Sequence, residues 1–284
     1  MCAFNIRSNF KNIEQFLATI GSVNFSPDVF VFTETWLKDN NVEFAVIHGY
    51  RQAYTLHVGA ASGGVSLFFK ENFNVKVLKN LCQSNSQIES VVVELKTKSK
   101  PLFIIGIYQP HSGDLEGFLG ELSSLLYRIG RNNRIIIMGD INIDLLNADC
   151  NIPNQLLNYI RSIFFMPLIS SYTRFSPDKS SFSLLEHIWI KFMDYERSGV
   201  ILTDITDHCP VYLFLPIYYK FAQKEVFFHD QSLTNIYLEK KLRNFYCDFS
   251  AYLSINDKLK IFSDKLNELY IEFFPVRKKT YPMF

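Results

Sequence analysis

Ile135-Ile136-Ile137-Met138-Gly139-Asp140-Ile141-Asn142 is the stretch on which the reading of the fold turns. Four apolar residues in a row, three of them β-branched, make a run that is short for a helix and has no polar face, so it reads as a strand buried on both sides. It runs at once into Gly139-Asp140 and then Asn142. Polar groups therefore collect at the strand's C-terminal end, where a carboxylate can be solvated and meet others instead of being buried without a partner. Working back, Leu115 to Ile129 repeats apolar residues at Leu115, Phe118, Leu119, Leu122 and Leu126 and stops at Gly130, which predicts a helix. Before it, Gly64–Phe69, Ser90–Lys96 and Leu102–Tyr108 are rich in Val, Ile and Phe and read as neighbouring, mostly antiparallel strands of one sheet. Val29-Phe30-Val31-Phe32 is a further buried strand, and Asn12 to Gly21 has the spacing of an amphipathic helix. Working forward, Asn154–Phe165 reads as a helix, and Glu186–Phe192 and Val211–Leu215 as late strands. Strands and helices mixed in this way indicate an α/β or α+β chain.

The 284 residues are 48% hydrophobic and 15% aromatic, enough to bury a large core. Twenty-nine Lys and Arg against 28 Asp and Glu give a net charge of +1. That excludes binding of nucleic acid by bulk electrostatics alone, so any DNA contact is local. The charge is uneven: residues 1–216 hold 18 basic and 20 acidic side chains, and 217–284 hold 11 and 8. Five widely spaced cysteines with no C-x-x-C pair suggest neither a disulfide framework nor a zinc knuckle. Arg7, Lys11 and Glu14 interrupt the N-terminal stretch, and no uncharged run reaches the roughly 18 residues that span a bilayer, so the reading is of a soluble, intracellular protein with no membrane partner.

Past Pro216 the pattern changes. Thr234–Phe249 and Asp257–Phe274 read as two helices, followed by Pro275 and Arg277-Lys278-Lys279. We therefore divide the chain into a domain over 1–216 and a helical, basic extension over 217–284.

Asn5, Glu34, Asp140, Asn142, Asp207 and His208 each fall at or just after the end of an apolar, strand-like run. Carboxylates gathered at one rim repel one another unless a cation lies between them, and oxygen ligands favour Mg²⁺ or Mn²⁺ over zinc. Such ions take phosphate oxygens readily, which points to phosphoryl chemistry. Asp140 and His208 are of the types that activate water and stabilise charge there. Taken singly, Asp140 is equally a turn or helix-cap residue and His208 a loop histidine. Six such positions in one order are harder to account for as turns.

The ordered set Asn5-Ile6-Arg7-Ser8, Thr33-Glu34-Thr35-Trp36-Leu37, Gly63-Gly64-Val65, Gly106-Ile107-Tyr108-Gln109-Pro110, Gly139-Asp140-Ile141-Asn142, Glu186-His187-Ile188 and Thr206-Asp207-His208-Cys209-Pro210-Val211 resembles the endonuclease/exonuclease/phosphatase family over about three quarters of the chain. The N-I-R-S opening, E-T-W-L, G-D-I-N-I-D-L and Thr173-Arg174 ahead of Glu186 are most similar to endonuclease domains of jockey/CR1-like non-LTR retrotransposons. The resemblance implies a four-layer sandwich of two packed mixed β-sheets flanked by helices, DNase I/AP-endonuclease-like, with the site at one edge. It implies Glu34 as the main metal ligand, Asn5 near the ion and Asp207 in support, with Mg²⁺ or Mn²⁺ as cofactor. His208 would contact the scissile phosphate, Asp140 position or deprotonate water, and Glu186 orient the histidine. Asn142 and Tyr108 would hold phosphate oxygens, with Arg174 as a further substrate contact. Tyr108 is equally a sheet residue and Glu186 equally a surface acid opening a strand.

This sequence departs from the pattern in four places. Glu186 stands where an aspartate is usual, and its extra methylene is expected to misalign the histidine, so Glu186→Asp is expected to raise activity. Arg7 stands where repair-type relatives keep an acid. Ala60-Ala61-Ser62 precedes Gly63-Gly64 where an arginine and a third glycine are common, and the first strand looks clipped. The tail resembles the connector toward reverse transcriptase. The implied function is a Mg²⁺-dependent endonuclease that nicks nuclear target DNA for retrotransposition, partnered by DNA and by a reverse transcriptase domain or element RNA supplied in trans. A catalytically decayed element-derived protein and a phosphatase of the same fold stand as alternatives.

Overall fold

The structure, a computed structural model, describes residues 1–57, 63–98, 100–147, 149–176, 178, 180–195, 197–216, 223–229, 254–273 and 276–282. The chain divides into two units, Met1–Phe221 and Ala222–Phe284. The first unit opens with β1 (Cys2–Asn5), α1 (Asn9–Ser22), β2 (Val29–Thr33), β3 (Tyr50–Thr55), β4 (Val65–Lys70), β5 (Val75–Val77) and β6 (Gln83–Ser84). It continues with β7 (Glu89–Leu95), β8 (Leu102–Tyr108), α2 (Leu115–Ile129), β9 (Arg134–Asp140) and α3 (Asn151–Ser162). It closes with β10 (Met166–Pro167), β11 (Arg174–Phe175), β12 (Phe182–Ser183), β13 (Glu186–Lys191), β14 (Arg197–Val200) and β15 (Val211–Phe214).

Two mixed sheets result. The first has the order β14-β15-β1-β2-β4-β3, and the second β10-β13-β9-β8-β7-β5 with β6 also on β7. Each contains a parallel pair, β1 with β2 and β8 with β9, while the other pairings are antiparallel. Side-chain alternation along each strand sorts the core into layers. Ala3, Val31, Leu67, Val91, Ile104, Met138 and Ile188 fill the space between the sheets. On the far side of the first sheet, Cys2, Phe4, Phe30, Phe32 and Phe68 cluster with Phe16 and Ile20 of α1. On the far side of the second, Ile105, Ile107, Ile135, Ile137 and Trp189 cluster with Phe118, Leu122 and Leu125 of α2 and Leu156 and Ile160 of α3. The four-layer sandwich implied by the resemblance is the fold observed.

The placement of three strands is corrected. Gly64–Phe69, Ser90–Lys96 and Leu102–Tyr108 do not share one sheet: β4 lies in the first, β7 and β8 in the second. All three are buried on nearly every residue. A strand covered on both faces has no polar face to show which layer it belongs to.

In the second unit, β16 (Gln223–His229) and β17 (Val276–Pro282) pair antiparallel, from Gln223 opposite Pro282 to His229 opposite Val276. Between them in sequence lies α4 (Ile255–Phe273). The expected helix Asp257–Phe274 is α4, whereas Thr234–Phe249 lies outside the described residues. The extension is thus not helical throughout. Val226-Phe227-Phe228 and Val276, Thr280 and Tyr281 are β-branched and aromatic, types that suit a pleated ribbon. No helix among the described residues is long and apolar enough to cross a membrane.

Candidate active site

Strand register builds the site. Across the second sheet Glu89 lies opposite Tyr108, Tyr108 opposite Asp140, and Asp140 opposite Glu186, so four polar side chains form one transverse row. In the first sheet Asn5 lies opposite Thr33, which sets Glu34 just beyond it. The two parallel pairs therefore deliver Asn5 with Glu34, and Tyr108 with Asp140, at their carboxyl ends. Gly139 makes this approach possible: at φ 148°, a Cβ there would lie 1.8 Å from the carbonyl oxygen of Ile107.

Asn5 is the joint between the sheets. Its Nδ2 donates to Glu34 Oε1 and to Asp140 Oδ2, each at 2.8 Å. Tyr108 OH donates to the same Glu34 oxygen at 3.4 Å. The Asn142 amide N–H donates to Asp140 Oδ1 at 2.9 Å, and Asn142 Nδ2 to the carbonyl of Gln109 at 2.7 Å. The surrounding backbone takes up left-handed conformations at non-glycine residues: Arg7 (φ 43°), Ser8 (88°), Glu34 (49°), Trp36 (54°) and Asn142 (49°). Such conformations cost energy and persist only where neighbours hold them. Here Ser8 N–H donates to the Glu34 carbonyl, and Trp36 N–H to that of Gly63.

His208 is buried, with Nδ1 hydrogen-bonded to Glu186 Oε1 and 3.8 Å from Asp140 Oδ2. Burial works against its charge, yet Glu186, Asp140 and Asp207 together raise it to about 9. Asp140 is pushed up to about 7, by burial first and Glu186 second, with His208 opposing. Burial, reinforced by Glu34 and Asp140, holds the Tyr108 phenol far above its ordinary range, so it stays a hydroxyl donor. Glutamate at 186 reaches the histidine despite the extra methylene. Thr173 fixes it there, its Oγ1 accepting from the N–H groups of Leu185 and Glu186 while its carbonyl accepts from Cys209 N–H.

Asp207 is placed differently from Glu34. Arg174 Nε donates to its Oδ2 at 2.9 Å, and Arg7 Nη1 lies 2.7 Å from its Oδ1. The second contact is an ion pair without hydrogen-bond alignment, since Oδ1 has no hydrogen-bond partner among the described residues. Asp207 Oδ1 is also 4.0 Å from His208 Nε2. The structure thus brings Asn5, Glu34, Tyr108, Asp140, Asn142, Glu186 and His208 together and sets Asp207 and Arg174 beside them as an ion pair.

The donor set fits a hard divalent cation. Glu34 and Asp140 present carboxylate oxygens, Asn5 turns its Nδ2 to both while its Oδ1 accepts from Arg7 N–H, and Glu186 Oε2 is a buried carboxylate oxygen with no hydrogen-bond partner among the described residues. Ligand atoms of Asp140, Glu186 and His208 lie within 4.8 Å of one another. His208 Nδ1 is taken by Glu186, which favours the carboxylate oxygens of Glu34 and its neighbours over the imidazole. Glu89, missed in the sequence reading, joins the same row. Its one sequence signal is its place at the head of an apolar strand.

Two mixed sheets face to face, with helices outside and buried acids at one edge, are of the DNase I/AP-endonuclease-like class. The chain belongs to the Endonuclease/Exonuclease/phosphatase family, whose model matches residues 2–208. Among solved structures it is similar to the endonuclease domain of TRAS1, a telomere-specific non-LTR retrotransposon, at 16% identity and TM-score 0.60, covering 76% of this chain and 97% of that one. It is also similar to the Xenopus laevis APE2 catalytic domain, at 16% identity and TM-score 0.61, over 78% and 93%. The AP endonuclease LMAP of Leishmania major aligns at 14% identity and TM-score 0.61, over 75% and 86%. At these identities the likeness is one of fold. No curated protein matches the chain in sequence.

Proposed function

We propose that the chain is a divalent-metal-dependent DNA endonuclease of the kind that nicks target DNA for a non-LTR retrotransposon. The observation that carries this reading is the Asn5 amide bridging Glu34 and Asp140, one from each sheet, beside a histidine held by Glu186. Mg²⁺ or Mn²⁺ held by Glu34, with Asn5 beside it, would neutralise phosphate oxygens and the leaving oxygen. Asp140, its carboxyl lifted toward neutrality, orients the attacking water and takes its proton. His208, charged and fixed through Nδ1, turns Nε2 toward the scissile phosphate and stabilises its developing charge. With substrate bound, the Tyr108 hydroxyl turns from Glu34 and an Asn142 side-chain N–H from Tyr108, and both hold further phosphate oxygens. Asp207 supports His208 from the Nε2 side while Arg7 and Arg174 offset its charge. Arg174 is a further substrate contact, reaching phosphate from this pair.

The retrotransposon assignment is supported by the motifs from Asn5 to Val211 and by the likeness in fold to the TRAS1 domain. On this reading DNA is the substrate in the nucleus, residues 217–284 are a basic connector, and a reverse transcriptase domain or element RNA acts in trans. The test is plasmid nicking: supercoiled DNA relaxes in Mg²⁺ or Mn²⁺ and stays intact in EDTA. Glu34→Ala and His208→Ala each lower the rate at least ~100-fold. Equal activity in chelator, or both variants matching wild type, overturns the assignment.

A further inference from the structure

The row across the second sheet carries a second histidine and carboxylate pair. Glu89 is fully buried at the head of β7, one strand beyond Tyr108 and two beyond Asp140. Its Oε1 meets His57 Nδ1 at 2.5 Å, and its Oε2 accepts from Gly64 N–H at 2.6 Å. His57 follows β3 and is about a quarter exposed, with 27% of its side chain open to solvent. Its Nε2 bonds to no described residue. Gly63 leaves room for the pair: a Cβ there, at φ 126°, would meet His57 Nδ1 at 2.7 Å and Glu89 Oε1 at 3.0 Å. The same two glycines accept from Thr35 and Trp36 N–H, so the segment carrying Glu34 and the His57 pair are tied together. The row thus reads His57 with Glu89, then Tyr108, then Asp140, then Glu186 with His208.

A buried carboxylate is costly unless paired, and packing alone would be served as well by an apolar residue. Glu89 holds one ring nitrogen of a partly exposed imidazole and so leaves the other facing outward in a fixed direction, as Glu186 does for His208. A protonated ring held this way donates Nε2–H to an anion. The anion the site takes is a phosphodiester, and neighbouring strands are about 4.8 Å apart, so Glu89 lies about 10 Å from Asp140. That is within about three base steps of ~3.4 Å.

We propose that His57, held by Glu89, binds a DNA backbone phosphate flanking the scissile one and so sets the register of the strand in the site. This rests on the nuclease reading and adds a residue to it.

The test uses the full chain and a fluorescent DNA duplex in EDTA at about pH 6, comparing wild type with His57→Gln and His57→Arg over 50 to 200 mM salt. One lost phosphate contact lowers the log–log salt slope by about 0.9, so wild-type affinity falls about 3.5-fold more across that range than His57→Gln does. His57→Arg, which places a fixed positive charge at the same position, restores the wild-type slope. An unchanged slope for His57→Gln, or His57→Arg as weak as His57→Gln, overturns the phosphate contact. Wild-type plasmid nicking in Mg²⁺ separates the two readings. Nicking with an unaltered His57→Gln slope removes this inference alone, and a wild type that neither nicks nor binds duplex removes both.

Discussion

Because Glu186 Oε1 already meets His208 Nδ1, shortening the side chain draws the carboxylate away from the ring by roughly an ångström, a displacement that costs ~100-fold in rate when a catalytic group must be aligned. Glu186→Asp is therefore expected to lower nicking. This reverses the expectation from sequence, in which glutamate was the misfit. The backbone around Glu186 is set by Thr173, whose hydroxyl accepts from two successive N–H groups, and this setting absorbs the extra methylene. Glu186→Gln keeps the reach and loses the charge that supports an imidazolium, so it too is slower than wild type. Single-turnover rates with saturating plasmid check both, and a faster Glu186→Asp restores the earlier view.

At the scale of the strand, the residue beside Glu186 faces the other way. His187 is buried on the helix-covered face of β13, its ring 5.6 Å from Trp189 and its Nε2 without a hydrogen-bond partner among the described residues. Burial drives it down to about 3, with only a backbone hydrogen bond at Ile143 acting the other way. The folded-state value is depressed below 6.5, so below that pH the unfolded chain binds more protons than the folded one. The neutral ring's contribution is whole above about 6.5 and is lost as pH falls toward 3. From pH 6.5 to 5 the loss is on the order of 2 kcal/mol. Urea midpoints at those two pH values should fall for wild type and hold more nearly level for His187→Phe; equal slopes would mean that the ring is not held neutral. Elements with such clear local signals were the legible ones. Helix α2 was readable to the residue from its apolar repeat and from Gly130, which ends it; the structure adds the cap, Asp114 accepting from Gly117 N–H at 2.8 Å. Helix α3 starts three residues ahead of the expected Asn154, since proline is tolerated in the first turn and Pro153 sits there. Strands β10, β11 and β12 have two residues each, too few to show alternation. The transverse row of acids was half legible: Asp140 and Glu186 lie within motifs, while Glu89 and His57 are 32 positions apart with nothing local linking them.

At the scale of the whole chain, the positive excess and the proposed chemistry fall in different places. Residues 217–284 carry 11 basic and 8 acidic side chains and none of the residues assigned to the site, all of which lie between Asn5 and His208. Ending the chain after Phe221, the boundary between the two units, is expected to leave plasmid nicking measurable while weakening duplex binding and flattening its salt dependence. Loss of cooperative unfolding in that variant would show that the second unit completes the first. The sheet order bears on something else. β1 lies between β2 and β15, with Cys2 opposite Phe30 on one side and Tyr212 on the other. During synthesis at about 5–20 residues per second, β1 leaves the ribosome roughly 10–40 s before the strand that closes its second edge. Throughout that interval a strand of four buried residues has an open edge and Asn5 has no His208 beside it. The nascent chain would carry an aggregation-prone surface but no assembled site until β15 emerges.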